Sequence, residues 1–176
     1  MKKTLFILSL FSIIFTQHSM AKPSIAPTIK SNTKPEITAH IYQIDTQKSQ
    51  IEFDYQQMGV SVSGRVPLAS GQVTWDAQNA ANIRAEAEGK KKKIDTGSAE
   101  GDAEVQGATW FDTARFPRVK VRLQQTQKHP KLPKQYSGVL VLTLKGKTVQ
   151  QPVIFTQTNA LNTALQFSGQ FSLSRA

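Results

Sequence analysis

Ile51-Glu52-Phe53-Asp54-Tyr55 alternates apolar and acidic side chains at a period of two. In an extended chain successive side chains point to opposite faces, so this stretch reads as a strand with one buried face. Moving outward, Val60 and Val62 alternate with Ser61 and Ser63 before Gly64, and Val73 and Trp75 with Thr74 and Asp76. Ile83, Ala85 and Ala87 alternate with Arg84, Glu86 and Glu88. Val119, Val121 and Leu123 do so with Lys120 and Arg122, and Leu165, Phe167, Phe171 and Leu173 carry the pattern onward. Turn signals fall between these runs at Ala69-Ser70-Gly71, Asp76 to Asn79, Lys145-Gly146-Lys147 and Asn159-Ala160. Short strands at such spacing predict an all-β fold, an antiparallel sandwich or barrel. Asp102 to Phe111 breaks the period, is rich in Ala and Glu, and starts on a good capping residue. It reads as one short helix over an end of the sheet.

The N-terminus has a different grammar. Lys2 and Lys3 precede an almost wholly apolar run from Leu5 to Phe15, and Ser19-Met20-Ala21 offers small residues where a signal peptidase reads. The run is shorter than the ~20 residues a membrane span needs. Residues 1–21 are therefore expected to be a signal peptide cleaved after Ala21, which places the chain in the periplasm or outside the cell. Residues 22–40, with Pro23, Pro27 and Pro35 among Ser, Thr and Lys, read as a flexible linker. The β domain is expected over 41–176.

Composition narrows the function. Hydrophobic residues make up 39% of the chain, enough for a globular core, and there is no cysteine. An exported domain without disulfides is held by packing alone. The leader carries two of the 22 basic residues and none of the 12 acidic ones, so the remainder is +8 against +10 for the whole. That charge suits an anionic membrane surface, an acidic ligand or nucleic acid, and export makes the last of these the least expected. No metal is expected, since His40 and His129 stand in no ligand spacing. Gly59-Val60-Ser61-Val62-Ser63-Gly64 is one residue too long for a nucleophile elbow, and no glycine pattern opens a helix to hold phosphates. Asp95 and Asp102 read as turn and cap residues. The expectation is a protein that is not an enzyme.

Several of these residues fall in a family pattern. Tyr42-x-x-Asp45, Ser49-x-Ile51-x-Phe53, Met58-Gly59, Gly64, Gly71 and Asp76 come first, followed by Ile94-Asp95-Thr96-Gly97, Asp102, Trp110-Phe111-Asp112 and Phe116-Pro117. Leu142-Thr143-Leu144-x-Gly146-x-Thr148 and Arg175 follow in the same register. In order and spacing, over roughly 41–176, the chain resembles the YceI-like family. It departs at Lys48 and Gln57, where many members carry His, and at Gly101-Asp102, where Arg-Asp is usual. The resemblance implies an eight-stranded antiparallel barrel, lipocalin-like, binding a polyisoprenoid, isoprenoid quinone or fatty-acid-type amphiphile in an internal pore. It implies no intrinsic cofactor, although an isoprenoid or quinone-type lipid would be the ligand.

A barrel of eight strands is just wide enough for its own side chains, or for one ligand where these are small. Ala85 and Ala87, on the inward face after Ile83, leave space that larger residues would fill. Phe53, Tyr55, Trp75, Phe155 and Phe167 on other strands, with Leu142, would wall it, and Trp110 and Phe111 at the helix end would cap one opening. If the strand from Ile83 runs on regularly, Lys91 and Lys93 of the Lys90–Lys93 run also face inward. There an ammonium would meet a pyrophosphate or carboxylate head group. The leading expectation is a lipid carrier. Its rivals are a filled barrel docking by its basic face on an anionic membrane or partner, and an enzyme acting on such a lipid. The sequence leaves a homodimer open.

Overall fold

The computed structural model describes residues 5–16, 39–57, 60–161 and 164–174. Among the described residues nine strands run in the order β1 (Leu5–Thr16), β2 (His40–Ile44), β3 (Gln50–Gln57), β4 (Val60–Trp75), β5 (Arg84–Lys90), β6 (Arg118–Lys128), β7 (Gln135–Leu144), β8 (Lys147–Leu161) and β9 (Ala164–Ser174). The α-helix among the described residues is α1 (Ala99–Gln106), and single 3-10 turns lie at Ala80–Asn82 and Lys91–Lys93. From β3 to β9 each strand pairs antiparallel with the next. β1 then pairs with both β3 and β9 and brings the ends of the sheet together. The expected all-β architecture is thus observed, eight antiparallel strands of residues 40–174 curling around one core. In the full-length chain the backbone of 5–16, expected as part of a leader, is a strand of that sheet. The Ser19-Met20-Ala21 site, residues 22–38 of the expected linker over 22–40, Met58-Gly59 and Arg175 lie outside the described residues.

β2 and β3 both lie along β4, separated by Asp45–Ser49. Asp45 Oδ1 accepts from the backbone N–H of Gln47 at 3.0 Å and of Lys48 at 3.3 Å, which shapes this detour as a local turn. Opposite it, β4 shifts register between Leu68 and Ser70. The inward residues change parity on both strands, from Tyr42 and Ile44 to Ile51, Phe53 and Tyr55, and from Val66 and Leu68 to Val73 and Trp75. A one-residue slip would turn a whole apolar set outward, so each irregularity requires the other.

Three expectations need correction. Ala69-Ser70-Gly71 is a bulge inside one long strand, because Ser70 and Gly71 still pair with Glu88 and Ala87. Gly64 lies within the same long strand. It sits opposite Phe53, whose ring occupies the space a side chain there would need. Asn159 and Ala160 pair with Gln166 and Leu165 in the sheet and so belong to a strand. The helix starts earlier and stops sooner than expected. Ser98 is its cap, accepting from Gly101 N at 3.0 Å, while Asp102 reaches back to Thr96 N at 2.7 Å and Thr96 Oγ1 at 2.8 Å. The turn at Lys145-Gly146 is as expected: both residues have positive φ, 52° and 73°, the twist a two-residue hairpin needs.

Candidate functional site

The barrel interior divides into two halves of different character. At the end where β3 meets β4 and β5 meets β6, the chain between α1 and β6 folds inward as a plug. Phe111 N, Asp112 N and Thr113 N donate to Val105 O, Gly107 O and Gln106 O at 3.0, 2.9 and 3.0 Å, so the helix is followed by a tight reversal. This reversal drives Trp110 and Phe111 into the barrel. Trp110 lies against Tyr55 with centroids 4.1 Å apart, and Phe111 meets Phe53 edge-on at 5.3 Å. Trp110 Nε1 donates to Glu104 at 3.3 Å.

Lys91 completes the plug. It is 1% exposed, and its Nζ donates to the Phe111 carbonyl at 2.9 Å below the Phe116 ring. Burial strips the ammonium of water and lowers its pKa to about 8, with Asp112 opposing the shift and Lys145 adding to it. Lys93, by contrast, is exposed. The strand ends at Lys90 and a 3-10 turn follows, so the regular parity that would put both lysines on the Ala85–Ala87 face stops there. Neither lysine lines the cavity.

That cavity occupies the other half. Its volume is about 80 Å³ and its walls are apolar, with Ala85, Ala87, Val121, Leu123, Leu140 and Val153 around the waist. Ala87 stands between Gly71 and Val121 across the sheet, and Ala85 between Val73 and Leu123. Ile44 fills the place of the missing Gly71 side chain, so the space that remains lies over the two alanines. Phe167, Gly169 and Phe171 of β9 and Ile44 of β2 form the side nearest the seam that β1 closes.

Toward the end away from the plug, four rings from four strands form a cycle. Trp75 meets Tyr136 at 5.2 Å and Phe167 at 4.8 Å, and Phe155 meets Tyr136 at 5.3 Å and Phe167 at 6.1 Å. Trp75, Phe155 and Phe167 also line the cavity, with Ile83 beside them. The 3-10 turn at Ala80–Asn82 covers this end, tied down by Thr126 Oγ1, which donates to Ala80 O and, at 3.1 Å, to Ile83 O.

The structure therefore brings Trp75, Ile83, Ala85, Ala87, Phe155 and Phe167 to one cavity. Phe53, Tyr55, Trp110 and Phe111 gather in the plug, and Leu142 is buried core away from the cavity walls. Sequence reading missed Tyr136, Leu140 and Val153. Gly138-Val139-Leu140-Val141-Leu142 is a continuous apolar run, a signal of a strand buried on both faces, and it would have located β7. Among the described residues no cluster of three or more His, Asp or Glu could hold a metal ion.

No curated protein sequence matches the chain. Among solved structures, BcnA of Burkholderia cenocepacia is 22% identical with a TM-score of 0.54, over 75% of this chain and 99% of that one. A YceI protein of Campylobacter jejuni gives 9% and 0.44, over 91% and 98% of the two chains. A polyisoprenoid binding domain from Saccharophagus degradans gives 8% and 0.36, over 98% of each. The likeness to BcnA is one of fold. The sequence pattern of the YceI-like domain matches residues 42–176, from the first buried residue of β2 to the C-terminus. By that match over most of its length, the chain belongs to the YceI-like family.

Proposed function

We propose that this protein is a non-enzymatic carrier, acting in the periplasm or outside the cell, for a long-chain isoprenoid, isoprenoid quinone or fatty-acid-like amphiphile. The observation that carries the reading is the apolar cavity over Ala85 and Ala87. Each methylene moved from water into such a site contributes about 0.8 kcal/mol, so a tail of a dozen carbons outweighs the several kcal/mol of association. At about 80 Å³ the cavity is smaller than the ~150 Å³ engineered cavity that takes benzene, so as it stands it admits the tip of one chain. A full tail requires the aromatic cycle to give way, or the edge between β3 and β9 that removal of residues 1–21 would uncover. Family membership supports the reading.

The test is chemical. Protein made from the full-length chain in a bacterial host, processed as the cell processes it and purified without detergent, is extracted into organic solvent for mass spectrometry. A single class of prenyl or long acyl lipid near one per protein is expected. The small volume favours one competitor, a filled barrel that docks by its basic surface, and an extract without lipid would select it.

A further inference from the structure

The hairpin joining β6 to β7, Lys128-His129-Pro130-Lys131-Leu132-Pro133-Lys134, stands at the end of the barrel away from the plug, directly beyond the aromatic cycle. Leu132 at its tip is 49% exposed. Of the large apolar side chains exposed among the described residues, Ile41, Val149 and Ile154 lie within strands and Leu132 stands at a loop tip. Here the loop is built to hold it there. His129 Nδ1 accepts from the backbone N–H of Lys131 at 3.2 Å and of Leu132 at 3.0 Å, so the ring folds the tip around itself. His129 N donates to Gln135 O at 2.9 Å, and Gln157 N donates to Lys134 O at 2.7 Å, tying the loop to β8. Lys134 takes a positive φ of 66°, and Pro130 and Pro133 stiffen both flanks of Leu132. A tip fixed in this way loses little freedom on docking.

Charge supplies the second, independent observation. From Thr113 to the C-terminus the sequence has ten Lys and Arg and no Asp or Glu, because all 12 acidic residues lie at or before Asp112. Arg115, Arg118, Lys145 and Lys147 of these lie toward the plug end, where Arg118 pairs with Glu88, and Lys128, Lys131 and Lys134 cluster on this hairpin. Lys128, Lys131 and Lys134 surround the exposed leucine with no acid on the same loop to neutralise them. Asp76, on the neighbouring β4–β5 loop, is buried and already accepts from Gln78 N, Asn79 N and Asn82.

We propose that this hairpin docks the protein on an anionic lipid bilayer, Leu132 entering the interface while the three lysines meet lipid phosphates. The inference extends the carrier reading by naming the surface from which an amphiphile is taken or to which it is given. Tyr136, two residues after Lys134, touches Trp75 and Phe155, so docking would set the aromatic end of the cavity on the bilayer.

The test is flotation of the processed protein with vesicles of phosphatidylcholine alone or mixed with phosphatidylglycerol. Binding is expected with the anionic vesicles, falling as salt rises, because exposed charges more than about 10 Å apart are screened at 0.1 M. Lys131→Gln should weaken it about fivefold and Leu132→Ser about tenfold, from the usual contributions of one interfacial lysine and one buried leucine. At the plug end, Lys92→Gln and Val149→Ser, the latter on a valine 42% exposed, should leave it unchanged. Equal binding to both vesicle types, no binding, or equal effects of hairpin and plug-end variants would each overturn the proposal. Lipid content by extraction is read separately on the same samples. A protein that carries lipid but ignores vesicles refutes the docking site alone, and one that floats but yields no lipid refutes the carrier reading alone.

Discussion

Lys91 places an ammonium where water does not reach, against the Phe111 carbonyl, and this gives a pH signature. Its pKa is about 8 in the fold against 10.5 for a free lysine. Below pH 8 both folded and unfolded chains carry the proton and burial of the charge opposes folding. Between about 8 and 10.5 the unfolded chain holds more protons, so stability rises with pH. A gain on the order of 1–2 kcal/mol between pH 7.5 and 9.5 is expected in urea unfolding, and Lys91→Met should lack it. The range stops below the buried tyrosines. Tyr42, Tyr55 and Tyr136 have pKa values raised by desolvation, Tyr55 also by Glu104, so above their usual range they act with the opposite sign. A wild-type curve flat across that window would show that the plug gives Lys91 more water than its geometry implies. Ala87 is the matching residue in the other half. Ala87→Leu adds three carbons facing a cavity of about 80 Å³ and should displace the extracted lipid, at a cost of about 1–3 kcal/mol from crowding. Lipid retained at the wild-type level in a folded variant would move the site elsewhere.

At the scale of elements, β9 has an unusual composition for a strand near a seam. From Ala164 to Ser174 it has neither a charge nor a proline, the devices that normally protect a strand edge from pairing. In the full-length chain β1 covers it from Leu5 opposite Ser174 to Thr16 opposite Ala164. A chain lacking residues 1–21 would leave that edge bare, with Glu52 and Asp54 on the facing β3. Such a chain is expected to associate through β9 in light scattering, and Gln166→Lys with Gln170→Lys should return it to monomer. A truncated chain that is monomeric without these substitutions would mean that β3 and β9 close on each other. The strands differ in how legible they are in the sequence. Ile51 to Tyr55 and Val119 to Leu123 show their strands plainly because one face is buried and the other wet. β8 is hard to read because Ile154 stands exposed beside buried Val153 and Phe155, which spoils the alternation.

For the whole molecule, the period of two, the turn residues and the order of Gly, Asp and aromatic punctuation were enough to determine an antiparallel β fold of the YceI-like family, since each depends on a residue and its near neighbours. Tertiary structure alone decided which end of the barrel is filled. Trp110 and Phe111 reach Tyr55 and Phe53 only because the chain reverses after α1. It also decided that Lys91 is buried in the plug while Lys93 meets solvent. Inward and outward positions differ by a single residue along a strand, so every bulge or 3-10 turn exchanges them. Where those irregularities fall is fixed by partners distant in sequence, Asp45–Ser49 against Leu68–Ser70 and Lys91 against Phe111, which no local pattern contains.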